Sequence, residues 1–438
     1  MRFIVFVLLL SLWDAESRQL PTNQPAGLAP GKVVVCYVSS WAVYRQEGGK
    51  FTIEDLDPQL CTHLVYAFAG LDAEKSVIKS LDPYNDLEED YGKGNYKKMT
   101  ALKNKYPHLT TTLAIGGWNE GSAKYSALAA DPAKRKIFVE SVVKILSKHG
   151  FNGLDLDWEY PGKRGGAPED KANFILLIKE LRTEMDKHGW ILTAAIGAGK
   201  DTIEKAYDLP QISTYLDYIH LMTYDFHGSW DQKVGANAPL SSADPNDELS
   251  VEYSVDYLLS NGVAPGKLVM GIPAYGRTFN LKNPEAKEVK LGDPTQDTGF
   301  PGPYTKENGF MGYNEICAEL GKDSSWEEWF DNTTKTQFAR NEQKVISFDD
   351  ANSIDEKVKL AMRKNLAGMM VWSVDTDDFR GECHQQEPYP ILRAISKSMT
   401  ASLEEIKKEK EKEPNAAVQS ISVSFTLTIF MLLLHWNY

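Results

Sequence analysis

Residues 151–161 read FNGLDLDWEYP, and the rest of the chain is best read from this stretch outward. Its three carboxylates, Asp155, Asp157 and Glu159, alternate with apolar Leu154, Leu156 and Trp158. Alternation by two is the period of a β-strand, so the three acids point to one face. On an open sheet such a row repels itself for no structural gain. At the mouth of a barrel or cleft the same repulsion raises a pKa, which is what a general acid requires. The alternative, for a D-x-D-x-E run taken alone, is a solvated edge strand whose acids only deter edge pairing. The flanking sequence decides between the two.

Around this run the chain alternates short apolar segments with longer amphipathic ones. Eight strands are expected: Val33–Tyr37, His63–Phe68, Thr110–Ile115, Gly153–Asp157, Leu192–Ile196, Tyr218–Met222, Leu268–Ile272 and Gly368–Trp372. Between several of them lie helical patterns such as Ala133–His149 and Pro168–His188, with apolar residues three and four apart and charges on the other face. Strand and helix in alternation, eight times, predicts an α/β fold of the (β/α)8 barrel type. The interval 277–344 is too long for a crossover and rich in Gly, Pro and aromatics, so it reads as a small α+β insertion between strands seven and eight.

A chain of 438 residues accommodates one such barrel, which routinely takes ~250 to 400 residues. Its net charge of −13 repels a phosphate backbone, so nucleic acid is not an expected partner. Arg2, the apolar run Phe3–Trp13 and then Ala15, Glu16 and Ser17 read as a secretory signal peptide over residues 1–17, followed by a polar, Pro-rich linker over 18–31. Export favours disulfides among the four cysteines, Cys36, Cys61, Cys317 and Cys383. Three pairings are open; Cys36 with Cys61 and Cys317 with Cys383 close the shorter loops and are preferred. No C-x-x-C pair or histidine cluster is present, so neither a metal nor a cofactor is expected. Asn332-Thr333-Thr334 is an N-glycosylation sequon and suggests a surface segment.

In a barrel the active site lies at the C-terminal ends of the strands. Glu159 closes strand four, Tyr224 and Asp225 close strand six, Tyr275 and Arg277 follow strand seven and Trp372 ends strand eight, while Trp41 and Trp118 follow strands one and three. Each aromatic alone reads more readily as core than as ligand contact. Shared position at one rim reverses that reading, because flat apolar rings beside carboxylates suit a sugar, whose C–H faces stack while its hydroxyls seek charged acceptors.

The run 151–161 resembles the D-G-x-D-x-D-W-E-Y-P signature of family 18 glycoside hydrolases, the chitinases. Residues 114–118 (AIGGW), 222–225 (MTYD), 271–278 (GIPAYGRT) and 370–375 (MVWSVD) resemble further motifs of that family in the family's order, across about Lys32 to Ser396. The segment 115–126, IGGWNEGSAKYS, looks most like secreted arthropod-type enzymes. The resemblance implies that Glu159 is the catalytic acid/base, that Asp157 orients the substrate acetamide, that Asp155 shares a proton with Asp157, and that Tyr224 holds the acetamide oxygen. It further implies sugar contacts from Tyr37, Trp41, Phe68, Trp118, Met222, Asp225, Tyr275, Arg277 and Trp372, and the same two cysteine pairs. The implied activity is hydrolysis of chitin and chito-oligosaccharides, endo-acting and with retention, by a monomer. The competing reading is a chitin-binding lectin or growth factor on the same barrel; such proteins usually replace the acid, whereas Glu159 and Asp157 are both present.

Asn152 stands where the signature often has its first aspartate, and a structural hydrogen bond is expected there. All four cysteines lie in the barrel region 32–400, so no separate Cys-rich chitin-binding module is present in this sequence. Residues 401–424 read as a Lys/Glu-rich stalk and spacer. Small Asn415, Ala416 and Ala417 followed by the apolar tail 425–438 resemble a GPI-attachment signal, which implies a protein outside the cell, held at its surface. A spanning helix wants ~20 apolar residues and usually a basic flank, neither of which is present.

Overall fold

The computed structural model describes residues 27–434 apart from 243, 245, 286 and 384–386, with side chains up to residue 412. The expected signal peptide and most of the expected linker lie outside the described residues, as do the side chains of the tail read as a GPI-attachment signal. Eight parallel strands form the barrel: β1 Val33–Ser39, β2 His63–Asp72, β3 Thr110–Gly116, β4 Gly153–Asp157, β5 Ile191–Gly197, β6 Tyr218–Met222, β7 Leu268–Pro273 and β8 Gly368–Trp372. Each pairs with its neighbour in sequence, and β8 closes on β1, with Val33 beside Gly368 and Cys36 beside Val371. The predicted (β/α)8 barrel is the observed fold.

Period-two alternation sorts the side chains of β4. Leu154 and Leu156 join the apolar layer between strands and helices, and Trp158 is buried there too, its indole N–H donating to Ser122 Oγ at 2.7 Å. The acids are left for the barrel interior. Helices α1, Pro132–His149, and α2, Asp170–His188, cover this side; Asp131 caps α1 by accepting from the Ala133 and Lys134 N–H groups, and both helices stop at glycines in the left-handed region, Gly150 and Gly189.

The structure departs from the expected rhythm in three places. The β1 to β2 crossover contains no α-helix, only four short 3-10 turns, since Gly48, Gly49 and Pro58 interrupt every stretch long enough to propagate one. Cys36–Cys61 ties its ends together. Second, β2 folds back antiparallel onto the strand Val77–Ser80, too short to stand out by periodicity. Third, the insertion begins at Tyr275 and ends at Phe348, wider than the expected 277–344, because the chain passes from β7 through Ala274 straight into the strand Tyr275–Leu281 without a turn. That strand pairs with Thr295–Gln296, Phe310–Gly312 and Lys344–Phe348; Thr336–Asn341 and Glu327–Asp331 complete an antiparallel sheet, with helix α3, Tyr313–Lys322, on one side.

Helix α4, Ala351–Arg363, leads into β8, and helix α5, Pro390–Leu434, packs on α4 and buries Ile391, Leu392, Ile395 and Met399. The charged stretch after Ala401 continues this helix. Among the described residues no helix is long and apolar enough to cross a membrane. Cys317 on α3 is bonded to Cys383, which ties the insertion to the segment after β8.

Candidate active site

Asp155, Asp157 and Glu159 rise in that order toward the open end of the barrel, all buried. Asp155 is the deepest and the best partnered. The Tyr37 hydroxyl donates to Oδ2 at 2.7 Å, the Thr193 hydroxyl to Oδ1 at 2.6 Å, and His220 Nδ1 lies 3.2 Å from Oδ1 and 2.8 Å from the Tyr37 oxygen. Burial by itself pushes the Asp155 carboxyl up, but the His220 ring and the three hydrogen bonds outweigh it and hold the group below the ordinary carboxylate range.

Asp157, two residues on, has the opposite surroundings. Its Oδ1 is buried with no hydrogen-bond partner. Burial, then the charges of Glu159 and Asp155, push its carboxyl well above the ordinary value. Glu159 is pushed up to about 7, chiefly by burial, with Asp225 adding to the shift and a hydrogen bond from Tyr160 and the Arg164 charge opposing it. The row therefore has its base acid biased toward the carboxylate and the two acids above it biased toward the protonated form.

Aromatic rings line the cleft beside these acids. Trp372, at the end of β8, lies 5.5 Å from Tyr37, 5.7 Å from Phe68 and 6.2 Å from Trp41, ring centre to ring centre. Phe68 enters this cluster through a bulge in the pairing of β2 with β3, which turns both Ala67 and Phe68 inward. Gly117 allows the approach: a Cβ there would come within 2.6 Å of the Phe68 ring, and its φ of +86° suits glycine. Trp41 is 44% exposed and Trp118 59%, which leaves broad ring faces open at the rim.

After β6 the chain turns through Asp225, held at φ +57° by its N–H bond to Asn237 Oδ1 at 3.0 Å. Asp225 Oδ1 accepts from the Tyr275 hydroxyl at 2.8 Å and from Arg277 Nε at 2.7 Å, so its charge is already paired. Tyr224 is half-buried beside Tyr275, with Met370 Sδ 3.8 Å from its hydroxyl. Met222 ends β6 and packs with Tyr37, Phe68, Tyr224 and Trp372 on the inner face.

The thirteen catalytic and sugar-contacting residues singled out from sequence lie on β1, β2, β4, β6 and β8, in the turns that follow β1, β3, β4 and β6, and on the first strand of the insertion. Sequence reasoning missed four neighbours. Thr193 and His220 read as interior residues of apolar strands, although their odd polarity there was a signal. Asn237 lies in a loop without a motif. Trp230 is 55% exposed, with the Arg277 guanidinium 5.0 Å from its ring, and its exposure could not be known before folding. Asn152 accepts from Lys103 Nζ, the Thr111 N–H and the Thr111 hydroxyl through Oδ1, a structural role at the base of β4. Cys317, Asp378 and Cys383 cluster with metal-ligand spacing, but the two sulfurs are bonded to each other.

Comparison with known proteins places this geometry. The family model for glycosyl hydrolases family 18 matches residues 33–377. The chain is 48% identical over 472 aligned positions to a probable chitinase 2 of Drosophila melanogaster, covering 98% of this chain and 96% of that one. It is 36% identical over 381 positions to an endochitinase of Manduca sexta, covering 84% and 67% of the respective chains. In three dimensions it matches an Ostrinia furnacalis Group IV chitinase, solved in complex with allosamidin, with a TM-score of 0.81 and 43% identity over 85% of this chain and 99% of that one. The chain belongs to family 18 of the glycosyl hydrolases, among its chitinases.

Proposed function

We propose that this chain cleaves β-1,4-linked N-acetylglucosamine polymers with retention of anomeric configuration, using the substrate's own acetamide oxygen as nucleophile. The observation that carries the reading is the pair Asp157 and Glu159 on one strand face, with Asp225, the carboxylate after β6, already bound to Arg277 and Tyr275. A retaining glycosidase normally sets a second carboxylate ~5 to 5.5 Å from its acid to attack from behind, and family 18 is an exception that recruits the substrate. Here both adjacent acids lie on one side of the scissile bond.

In this reading protonated Glu159 gives its proton to the glycosidic oxygen as the bond to the anomeric carbon breaks. The acetamide oxygen closes onto that carbon, forming an oxazolinium ion. Asp157 passes its proton to the Asp155 carboxylate, accepts the acetamide N–H and then carries the negative charge that matches the ion, while Tyr224 donates to the acetamide oxygen and Trp372 forms the floor under the reacting sugar. Glu159, now ionised, takes a proton from water as it opens the ring. Holding an internal nucleophile in place is worth ~7 to 11 kcal/mol of barrier. Trp41, Trp118, Tyr37, Phe68 and Met222 supply ring and side-chain faces for the neighbouring sugars, and Asp225, Tyr275 and Arg277 the polar wall. Proton NMR of the first products tests the reading: the β-anomer is expected, along with failure on fully deacetylated chitosan, and an initial α-anomer would overturn it.

The same reading takes the N-terminal segment as an export signal, Asn332 as a glycan acceptor and the tail as a lipid-attachment signal. Asn332 is exposed in the turn between the strands Glu327–Asp331 and Thr336–Asn341, which supports the second of these. Phosphatidylinositol-specific phospholipase C should then release activity from cell surfaces; activity shed wholly without treatment would count against the anchor.

A further inference from the structure

We propose that Arg164 is a positioning residue of this cleft: its guanidinium ties the Trp118 ring to the backbone of Glu159, so that a sugar platform from the β3 turn and the acid from β4 are held as one unit. The inference rests on the reading of Glu159 as the acid. The guanidinium carbon lies 3.4 Å from the centre of the Trp118 ring, in cation–π contact. From that position Nη2 donates to the Trp118 carbonyl at 3.0 Å and Nη1 to the Glu159 carbonyl at 3.1 Å. One planar group thus makes three contacts to the two turns that follow the paired strands β3 and β4. One face of Trp118 is covered in this way, and with 59% of the residue exposed the other is left for a sugar.

The loop that carries Arg164 is built to hold it there. Gly162 and Gly165 flank it at φ +72° and +90°, and Arg164 itself sits at φ +52°, a conformation that a residue with a Cβ adopts at a cost. Asp170 Oδ2 accepts the Gly162 and Ala167 N–H groups at 3.1 and 2.9 Å, while Oδ1 accepts the Ser126 hydroxyl at 2.6 Å. Lys163 Nζ reaches Thr202 Oγ1 at 2.8 Å and Asp201 at 2.9 Å on the far side. The turn is therefore pinned at both ends, with Arg164 at its tip. Lysine could supply the charge but neither the planar stack nor the fork of donors.

Arg164 also acts on the acid electrostatically. The groups facing Glu159 are Asp157 on its own strand, Tyr160 and Arg164 after it, Tyr207 beyond β5, and Tyr224 and Asp225 after β6. Among these, Arg164 opposes the upward push of burial and of Asp225. Removing it should raise the Glu159 pKa further and carry the basic limb of the pH profile upward.

The test uses the full-length enzyme, a chito-oligosaccharide series and the variants Arg164→Ala, Arg164→Lys, Trp118→Ala and the double variant Arg164→Ala/Trp118→Ala. Arg164→Ala should raise KM by about 3- to 10-fold on oligomers long enough to reach Trp118, the range expected for a cation–π contact. It should also move the basic limb of kcat/KM to higher pH. Arg164→Lys should raise KM but leave the limb in place, which a merely structural role would not do. In the Trp118→Ala background the KM effect should vanish, because both changes break one contact. Arg164→Gln replaces the alanine variant if that one fails to fold. Wild-type KM and an unmoved limb in Arg164→Ala, or additive KM effects in the double variant, would overturn the proposal. An active Glu159→Gln enzyme would instead overturn the acid assignment, so the two failures are distinct.

Discussion

Asp155 and Asp157 project from the same face of β4 into the same barrel, yet Asp155 is bound by Tyr37, Thr193 and His220 while Asp157 leaves Oδ1 without a partner. Two identical side chains on one strand are thereby driven in opposite directions, the lower one toward the carboxylate and the upper one toward the protonated acid.

Asp157→Asn keeps the neutral shape but cannot become an anion when positive charge develops on the sugar. We expect kcat to fall by about 100-fold or more, in line with the loss of one preorganised electrostatic group, with KM little changed. Steady-state kinetics on a chito-oligosaccharide checks this; a kcat near that of the wild type would remove Asp157 from the mechanism.

Glu159 has to be protonated to act as the acid. With its pKa pushed up to about 7, kcat/KM should be sustained below that pH and fall as pH rises through it. A pH profile whose basic limb lies at the ordinary glutamate value would show that burial does not tune this group.

Glu159→Gln preserves size and stacking but delivers no proton. Hydrolysis should drop by about 100- to 10,000-fold, the usual worth of a general acid, while calorimetric titration with an oligomer still detects binding. Loss of binding in parallel with hydrolysis would point to a misfolded cleft.

Asp377 concerns stability. It is buried and accepts the N–H groups of Asp378, Ile391 and Leu392, and so satisfies the first turn of α5. Asp377→Ala should cost ~1 to 3 kcal/mol, read as a lower thermal midpoint. Burial pushes its carboxyl up to about 7 in the folded state, above its unfolded value. Its contribution is therefore fullest at low pH and is lost as pH rises through about 7. Asp377→Asn mimics the protonated form and should flatten that decline; thermal midpoints measured between the ordinary aspartate value of 3.8 and about 7 decide it.

The sequence by itself determined the features that depend on local period. The eight strands of the barrel follow from short apolar runs, and in β4 four successive side chains alternate as expected, Leu154 and Leu156 outward and Asp155 and Asp157 inward. The rim aromatics followed from their place after each strand, and the roles assigned to them came from resemblance to a family. Local pattern was less informative where breakers interrupt it, as at Gly48, Gly49 and Pro58, or where one strand runs on into another without a turn, as at Ala274.

Only the tertiary structure decided what surrounds each acid. Tyr37, Thr193 and His220 are 118, 38 and 65 positions from Asp155, and they meet it because the barrel closes in one register. Arg164 reaches Trp118 across 46 positions through a loop whose left-handed turn no periodicity reveals. Burial, partner and charge set a carboxyl's pKa, and all three are properties of the closed barrel. Spacing along the chain places three acids on one face; the barrel makes the first an anion and raises the other two toward protonation.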